Sequence, residues 1–539
     1  MNFIHLESEQ KLRGGYYTPH SLAIFISKFV IGCKVENILE PSCGDGVFIK
    51  ALNDMKPSNS INVIAIEIDE IEARKAKALK TDKINASIIN DDYLDWSISR
   101  LNSPDFFDAV IGNPPFIRYQ YLDDKQQKKA KMIFEFFQLP FTMHTNAWVP
   151  FVLLSIYFLK PNGYFAMILP SEILNVIHAQ SLRDYLSENC KQILIIDPEE
   201  IWFENTLQGA VLLIAQKKEN INEKTKGLSI IQTKGNSFLE LDPLALFNNA
   251  QYINGRTTQG KWTKALLSKS ELALYFEVIN NPSISQFKSI ANVDVGIVTG
   301  ANNYFLVSKS TIDKYNLSKW IYPMFGRSEH CPGIIYNFDQ HTKNINNDTP
   351  AYFLWFNVPN DSELDESAKE YIKLGEMSKI NDRYKCRVRK PWYKVPSVYT
   401  TNIGLLKRSH ETPRLIYNEL NAYTTDTAYR IKTKSIEPQK LVYLFLNPIT
   451  SLSAEIEGRH YGGGVLELVP SEIEKILIPI VDTIVNLDEL DIFYKAHSVE
   501  ELLYKQGTII FQKLNLSKYT LELLINSWIK LKNHRHRKN

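Results

Sequence analysis

The N-terminal part of the chain alternates short apolar runs with amphipathic stretches, a pattern that predicts a parallel β-sheet flanked by helices. Candidate strands are residues 37–40, 62–67, 86–89, 107–112, 163–169, 192–196 and 210–216, seven in all, which a doubly wound α/β fold accommodates. The longest apolar run, residues 149–159, is far shorter than the roughly 20 residues a membrane helix needs and predicts a buried helix. Residues 217–226 (KKENINEKTK) are charged and lose periodicity, which predicts an exposed loop near the end of the first lobe. Beyond about Gly235 the pattern changes to short strands with turn signals, as in 296–307 and the glycine-rich turn within 460–467, mixed with helical stretches. The expected organisation is an α/β domain over 1–235 and an α+β domain over 236–539. Residues 499–532 read as helices, and the basic tail His534-Arg535-His536-Arg537-Lys538 is expected to be a solvated end.

A length of 539 residues is too great for one hydrophobic core and fits these two lobes. Composition changes little: 44% hydrophobic and 23% charged residues describe an ordinary globular chain and argue against disorder. With a net charge of only +2, any nucleic-acid surface must come from local clustering of Lys and Arg. The five cysteines are widely separated and form no C-x-x-C pair, so neither a zinc site nor a disulfide framework is expected, and a reducing cytoplasm fits. The N-terminus lacks a signal-peptide pattern, and no membrane association is expected.

The candidate chemistry begins after the first strand, where Glu40-Pro41-Ser42-Cys43-Gly44-Asp45-Gly46 reads as a tight glycine turn into a helix. A dinucleotide loop would need a third glycine and bare amides facing a pyrophosphate; here Glu40 and Asp45 would repel one. S-adenosylmethionine has no phosphate and carries a sulfonium and an ammonium, so acidic residues suit it. Glu67 ends the next strand, 21 residues past Gly46 (67 − 46), the place of a carboxylate that accepts from a ribose diol. After the third strand, Asp92 is placed to accept from the adenine amino group of the cofactor, with Tyr93 or Ile68 packing on its face. Each feature alone is more often structural; their order at consecutive strand ends is what points to a cofactor.

The fourth candidate strand runs into Asn113-Pro114-Pro115-Phe116. A proline turn capping a strand is geometrically ordinary, but this one follows three strand ends that already look like a cofactor site. The amino group of adenine is a poor nucleophile because its lone pair is delocalised. Acceptors on its two N–H bonds, the Asn113 side-chain oxygen and the Pro114 carbonyl, favour a pyramidal nitrogen aimed at the methyl group. Prolines donate nothing from the backbone and fix the loop. Phe116 is placed to stack on a flipped base.

In these features the chain resembles the gamma class of N6-adenine DNA methyltransferases, the TaqI-like modification enzymes of restriction–modification systems. Gly15-Tyr16-Tyr17-Thr18-Pro19 is similar to the family's leading cofactor motif, and the glycine turn, Glu67, Asp92-Tyr93 and Asn113-Pro114-Pro115-Phe116 follow in the family's order. The resemblance implies that Tyr17, Thr18, Glu40, Ser42, Gly44, Asp45, Gly46, Glu67, Ile68, Asp92, Tyr93, Asn113 and Phe151 serve S-adenosylmethionine. It implies that Asn113, Pro114, Pro115 and Phe116 carry the reaction and that Phe203 lies on the other face of the flipped base. Leu159-Lys160-Pro161-Asn162-Gly163 resembles the family's K-P-G-G turn with Asn162 for the first glycine, and Phe116 stands where many relatives have Tyr. The segments 296–300 (GIVTG) and 457–464 (EGRHYGGG) are similar to strings in recognition domains.

The fold implied is a seven-stranded doubly wound S-adenosylmethionine-dependent methyltransferase domain followed by an α+β target-recognition domain. The partner implied is double-stranded DNA, with cleavage residing in a separate restriction endonuclease. The run 383–394 holds six basic and no acidic residues, and Arg387, Arg389 and Lys390 are expected to contact phosphates. Two other readings share these motifs: a methyltransferase of the same class acting on RNA or a protein glutamine, and a non-catalytic DNA-binding subunit.

Overall fold

The expected strands assemble into one sheet in the computed structural model, which describes residues 17–198, 209–255, 258–461 and 463–536. Helix α1 (His20–Gly32) precedes β1 (Asn37–Glu40), α2 (Val47–Asp54), β2 (Ile61–Glu67), α3 (Glu70–Lys77), β3 (Ile84–Asn90) and α4 (Tyr93–Ile98). Then come β4 (Phe107–Gly112), α5 (Asp124–Phe136), α6 (Trp148–Tyr157), β5 (Leu159–Pro170), α7 (Gln180–Asn189), β6 (Cys190–Pro198), β7 (Ala210–Lys217) and β8 (Gly227–Thr233). The sheet order is β3-β2-β1-β4-β5-β7-β6-β8, with β7 antiparallel to both its neighbours. Strand order reverses between β1 and β4, which pair in parallel through Ile38↔Ala109 and Leu39↔Val110. The carboxyl ends of those two strands therefore flank a topological switch point, where open α/β sheets bind ligands.

Alternation along each strand splits the core into two layers. Leu39 and Val110 face a layer that includes the fully buried Trp148, Val152 and Leu153 of α6. Ile38, Ala109 and Ile111 face the other, with Phe25 and Phe29 of α1. The apolar run expected to be a buried helix is α6, enclosed over nearly its whole circumference.

The alternation along the chain predicts seven strands; the structure adds an eighth, β8, which pairs in parallel with β6. Its first residue, Gly227, has φ +106, and a Cβ there would lie 2.3 Å from the Ile253 carbonyl oxygen, so only glycine fits. The described residues divide into two compact units at Lys269/Ser270, later than the expected boundary at 235/236. The reason is packing: Phe238 sits edge-on to Phe25 at 5.2 Å, Phe247 edge-on to Phe29 at 5.3 Å, and Trp262 is buried in the opposite layer.

The second unit mixes helices with a five-stranded sheet ordered Ala291–Val295, Ala428–Thr433, Ile403–Leu406, Leu415–Asn418 and Ile335–Tyr336, in keeping with the α+β expectation. The glycine-rich turn joins strands Arg459–Tyr461 and Val465–Glu467 into an antiparallel pair. The basic tail is not a solvated end over its described part. Arg535 and Glu455 are both fully buried and form a two-point ion pair at 2.7 and 3.0 Å, and Arg535 Nη1 also donates to the Gly464 carbonyl. Among the described residues no helix is long and apolar enough to cross a membrane.

Candidate active site

The turn after β1 is shaped by backbone geometry. The Cys43 amide donates to the Ile66 carbonyl at 3.0 Å, tying the turn to the end of β2. Gly46 starts α2 at φ +89, and a Cβ there would come within 2.6 Å of Leu79 Cδ1 and 3.2 Å of Ala76 Cβ. Gly44, at φ +54, has open space where a side chain would be. The Glu67 carboxylate accepts from the Gly44 and Asp69 amides, each at 2.8 Å. Burial still pushes its carboxyl above the ordinary range, against the lowering effect of those two bonds.

Glu40 is fully buried, and neither of its carboxylate oxygens has a hydrogen-bond partner among the described residues. Burial, followed by the charges of Glu67 and Asp45, holds its carboxyl well above the ordinary value. A buried acceptor of this kind calls for a donor or a cation. Tyr17 is half exposed beside this acidic group; burial and then Glu72 raise its phenol.

At the end of β3 the structure corrects part of the expectation. Tyr93 is 2% exposed, its ring 4.9 Å from that of Phe151 and its hydroxyl 3.4 Å from Ser155 Oγ. It is a core residue, as is Phe151, because α4 turns that face toward α6. Ile68, 66% exposed, is the member of the Ile68/Tyr93 pair that faces solvent. Asp92 caps α4 by accepting from the Leu94 amide at 2.9 Å, and its other oxygen takes Lys129 Nζ at 2.6 Å. Lys129, buried on α5, also reaches Asp95 at 2.6 Å. Nothing in the spacing of these residues marks the pairing, which the fold creates across 37 positions.

The tetrapeptide lies at the carboxyl end of β4, beside the β1 turn. Ser42 Oγ donates to the Asn113 carbonyl at 3.0 Å, and Asn113 Nδ2 donates to Thr18 Oγ1 at 3.2 Å. Thr18 and Pro114 are buried, and Phe116 is 8% exposed within the α1-side layer. Tyr17, Thr18, Ser42 and Asn113 thus converge with the glycine turn at the β1/β4 switch point. Phe203, with Gly15 and Tyr16, lies outside the described residues.

Residues that no sequence motif singles out brace the next stretch of chain. The Tyr119 amide donates to Asn146 Oδ1 at 3.0 Å, Asn146 Nδ2 donates to Glu172 Oε2 at 3.0 Å, and the Ala147 amide donates to the Ile117 carbonyl at 3.0 Å. Burial raises the Glu172 carboxyl, opposed by the Arg118 charge and the Asn146 bond.

In the second unit the basic run separates into two kinds of residue. Arg383, Lys385, Arg387 and Lys390 are exposed around the short helix Tyr384–Arg387, interleaved with exposed Tyr384 and Val388. Arg389 differs from the expected phosphate ligand. Its guanidinium donates to the carbonyls of Thr299 at 2.8 Å and Val298 at 2.6 Å, and burial lowers its pKa. It fastens the helix to the segment 296–300, where Gly300, at φ +79, packs so closely that a Cβ would stand 2.7 Å from Lys385 Cβ.

Comparison with known proteins gives matches to both parts of the chain. The family described as Eco57I restriction-modification methylase matches residues 19–203, and that described as Type II methyltransferase M.Eco57I, C-terminal domain, matches 259–511. Type II methyltransferase M.AccI of Acinetobacter calcoaceticus is 27% identical over 538 residues, covering 95% of this chain and 94% of the relative. Type II methyltransferase M.BanIII of Aneurinibacillus aneurinilyticus is 32% identical over 213 residues, 35% of this chain and 36% of its own. Among solved structures, the type IIG restriction endonuclease BpuSI aligns over 98% of this chain and 67% of its own, at 15% identity and a TM-score of 0.41.

Proposed function

We propose, from the premise that the chain belongs to the Eco57I-type restriction–modification methyltransferases, that it is a site-specific DNA methyltransferase acting on the N6 amino group of an adenine flipped out of its duplex. The observation that carries this reading is the joining of the acidic glycine turn to the Asn113-Pro114-Pro115-Phe116 loop by the Ser42–Asn113 hydrogen bond at the switch point.

The residues present fit S-adenosylmethionine. The buried Glu40, with no partner for its oxygens among the described residues, and its neighbours Glu67 and Asp45 form an acidic group suited to a ligand that carries an ammonium and a sulfonium. When bound, the cofactor supplies an electrophilic methyl group. Glu67 accepts from the ribose diol with lone pairs left over from its two amide bonds, and Ile68 covers the adenine face. Tyr17, Thr18, Ser42, Gly44, Asp45 and Gly46 line the turn; Asp92, Tyr93 and Phe151 support it from the β3 side.

At the target base, the Asn113 side-chain oxygen and the Pro114 carbonyl accept hydrogen bonds from the two amino N–H groups and fix the nitrogen's lone-pair direction. Pro115 stiffens the loop, and Phe116 and Phe203 hold the ring. In the second unit Arg387 and Lys390 contact phosphates, while the protein modifies sites that a separate endonuclease would otherwise cut. The exposed cationic helix favours DNA over a protein amide as substrate.

The test is transfer of labelled methyl groups from S-adenosylmethionine to unmodified duplex DNA, with nucleoside digestion to identify the product. N6-methyladenine is expected. Label on cytosine, on RNA or on protein alone, or no label, overturns the proposal.

A further inference from the structure

We infer that Glu172 is a positioning residue for the catalytic loop, acting through Asn146 on the backbone that directly follows Phe116. The inference rests on the adenine-methylation reading and adds to it a residue that no motif marks.

Strands β4 and β5 run in parallel, with Gly112 opposite Met167, so the residues after each strand emerge side by side. Asn113 to Phe116 follow β4; Glu172 follows β5. Between them stands Asn146, 4% exposed, which uses both ends of its amide. Its Oδ1 accepts from the Tyr119 amide and its Nδ2 donates to Glu172 Oε2, both at 3.0 Å. A carboxamide presents an acceptor at one end and donors at the other. The acceptor oxygen at 172 takes the Nδ2 end of Asn146 and leaves its Oδ1 end to the Tyr119 amide. The same stretch is held by the bond from the Ala147 amide to the Ile117 carbonyl and by the edge-on Tyr119 and His144 rings, 4.7 Å apart. Asn113 is anchored on one side by Ser42 and Thr18; Asn146 and Glu172 anchor the other side of the loop. A misplacement of about 1 Å in a reacting group costs on the order of 100-fold in rate, so a loop held from both sides is held where the chemistry needs it.

The experiment measures single-turnover methylation, the KM for S-adenosylmethionine and thermal melting for four variants of the full chain. Glu172→Ala is expected to slow methyl transfer about 10- to 100-fold with little change in cofactor KM. Glu172→Gln keeps an acceptor oxygen and should stay within about threefold of wild type. Asn146→Asp sets two carboxyls against each other and should be slow. Adding Glu172→Gln to it should restore much of the rate, because the amide introduced at 172 donates to the carboxylate introduced at 146 while the bond from the Tyr119 amide survives. If Glu172→Ala does not fold, the Asn146→Asp pair carries the test. Wild-type rates in Glu172→Ala, equal losses in Glu172→Gln and Glu172→Ala, or no recovery in the double variant overturn the inference. Wild type that methylates no adenine in DNA overturns the underlying reading instead, and the same rates on whatever acceptor it does use still decide the role of Glu172.

Discussion

Glu67 and Gly44 meet at 2.8 Å, the carboxylate at the end of β2 accepting from an amide in the turn after β1. The side chain proposed to hold a ribose also holds the shape of the loop beside it. Glu67→Ala is therefore expected to weaken S-adenosylmethionine binding by about 1.5–3 kcal/mol, the scale of hydrogen bonds to a charged group, measured by calorimetry. Unchanged affinity would mean that another carboxylate holds the ribose.

Asn113→Ala should separate chemistry from binding. On the proposed reading its side chain acts mainly in the transition state, so turnover should fall by several orders of magnitude while cofactor affinity stays close to that of wild type. Near-normal single-turnover methylation in this variant would remove Asn113 from the reaction.

Glu40 predicts a pH effect. Its carboxyl is raised in the folded protein by burial first and by Glu67 and Asp45 next, so the native state binds that proton more tightly than the unfolded chain. The slope of unfolding free energy with pH is then negative: stability is fully present below the unfolded carboxyl range and declines as pH rises toward the raised value. Glu40→Gln should raise the melting temperature of the cofactor-free protein at neutral pH, flatten its pH dependence, and weaken cofactor binding. A melting temperature at pH 7 equal to or below that of wild type would contradict this.

Arg387 and Lys390 should behave differently from Arg389. Neutralising the first two should flatten the plot of log affinity against log salt by roughly 0.9 for each phosphate no longer paired, on cognate and random duplexes alike. Arg389→Ala should instead lower the stability of the second unit, because it strands the Val298 and Thr299 carbonyls it now satisfies. Salt titrations of binding, paired with melting curves, tell the two effects apart; an unchanged slope in the double variant would place DNA elsewhere.

Arg535→Ala is expected to destabilise the second unit by about 3–5 kcal/mol, because it removes the two-point partner of the fully buried Glu455 carboxylate and leaves, among the described residues, only His460, 3.6 Å away. Replacing both with apolar residues of similar volume should recover much of that loss. Denaturant unfolding measures both, and a single variant as stable as wild type would show that Glu455 finds another partner.

The sequence by itself determined seven of the eight strands of the first sheet, because period-2 alternation and glycine turns are local signals. It placed Glu40 and Glu67 at the ends of β1 and β2 and Asn113 just after β4, since each follows or closes a run that is apolar on its own terms. The tertiary structure alone decided which of these side chains are buried and which stay exposed. Tyr93 and Phe151 turn into the core because α4 packs on α6, a contact across 58 residues (151 − 93) that no local pattern encodes. Arg389 and Arg535 look like other basic residues in a run, yet one is taken up by two carbonyls and the other by a buried carboxylate. Glu172 and Asn146 belong to no run or spacing, and only the parallel pairing of β4 with β5 brings them beside the loop after Phe116. Periodicity fixes which residues leave the water; the partners they meet depend on non-local packing, which the order of residues along the chain does not display.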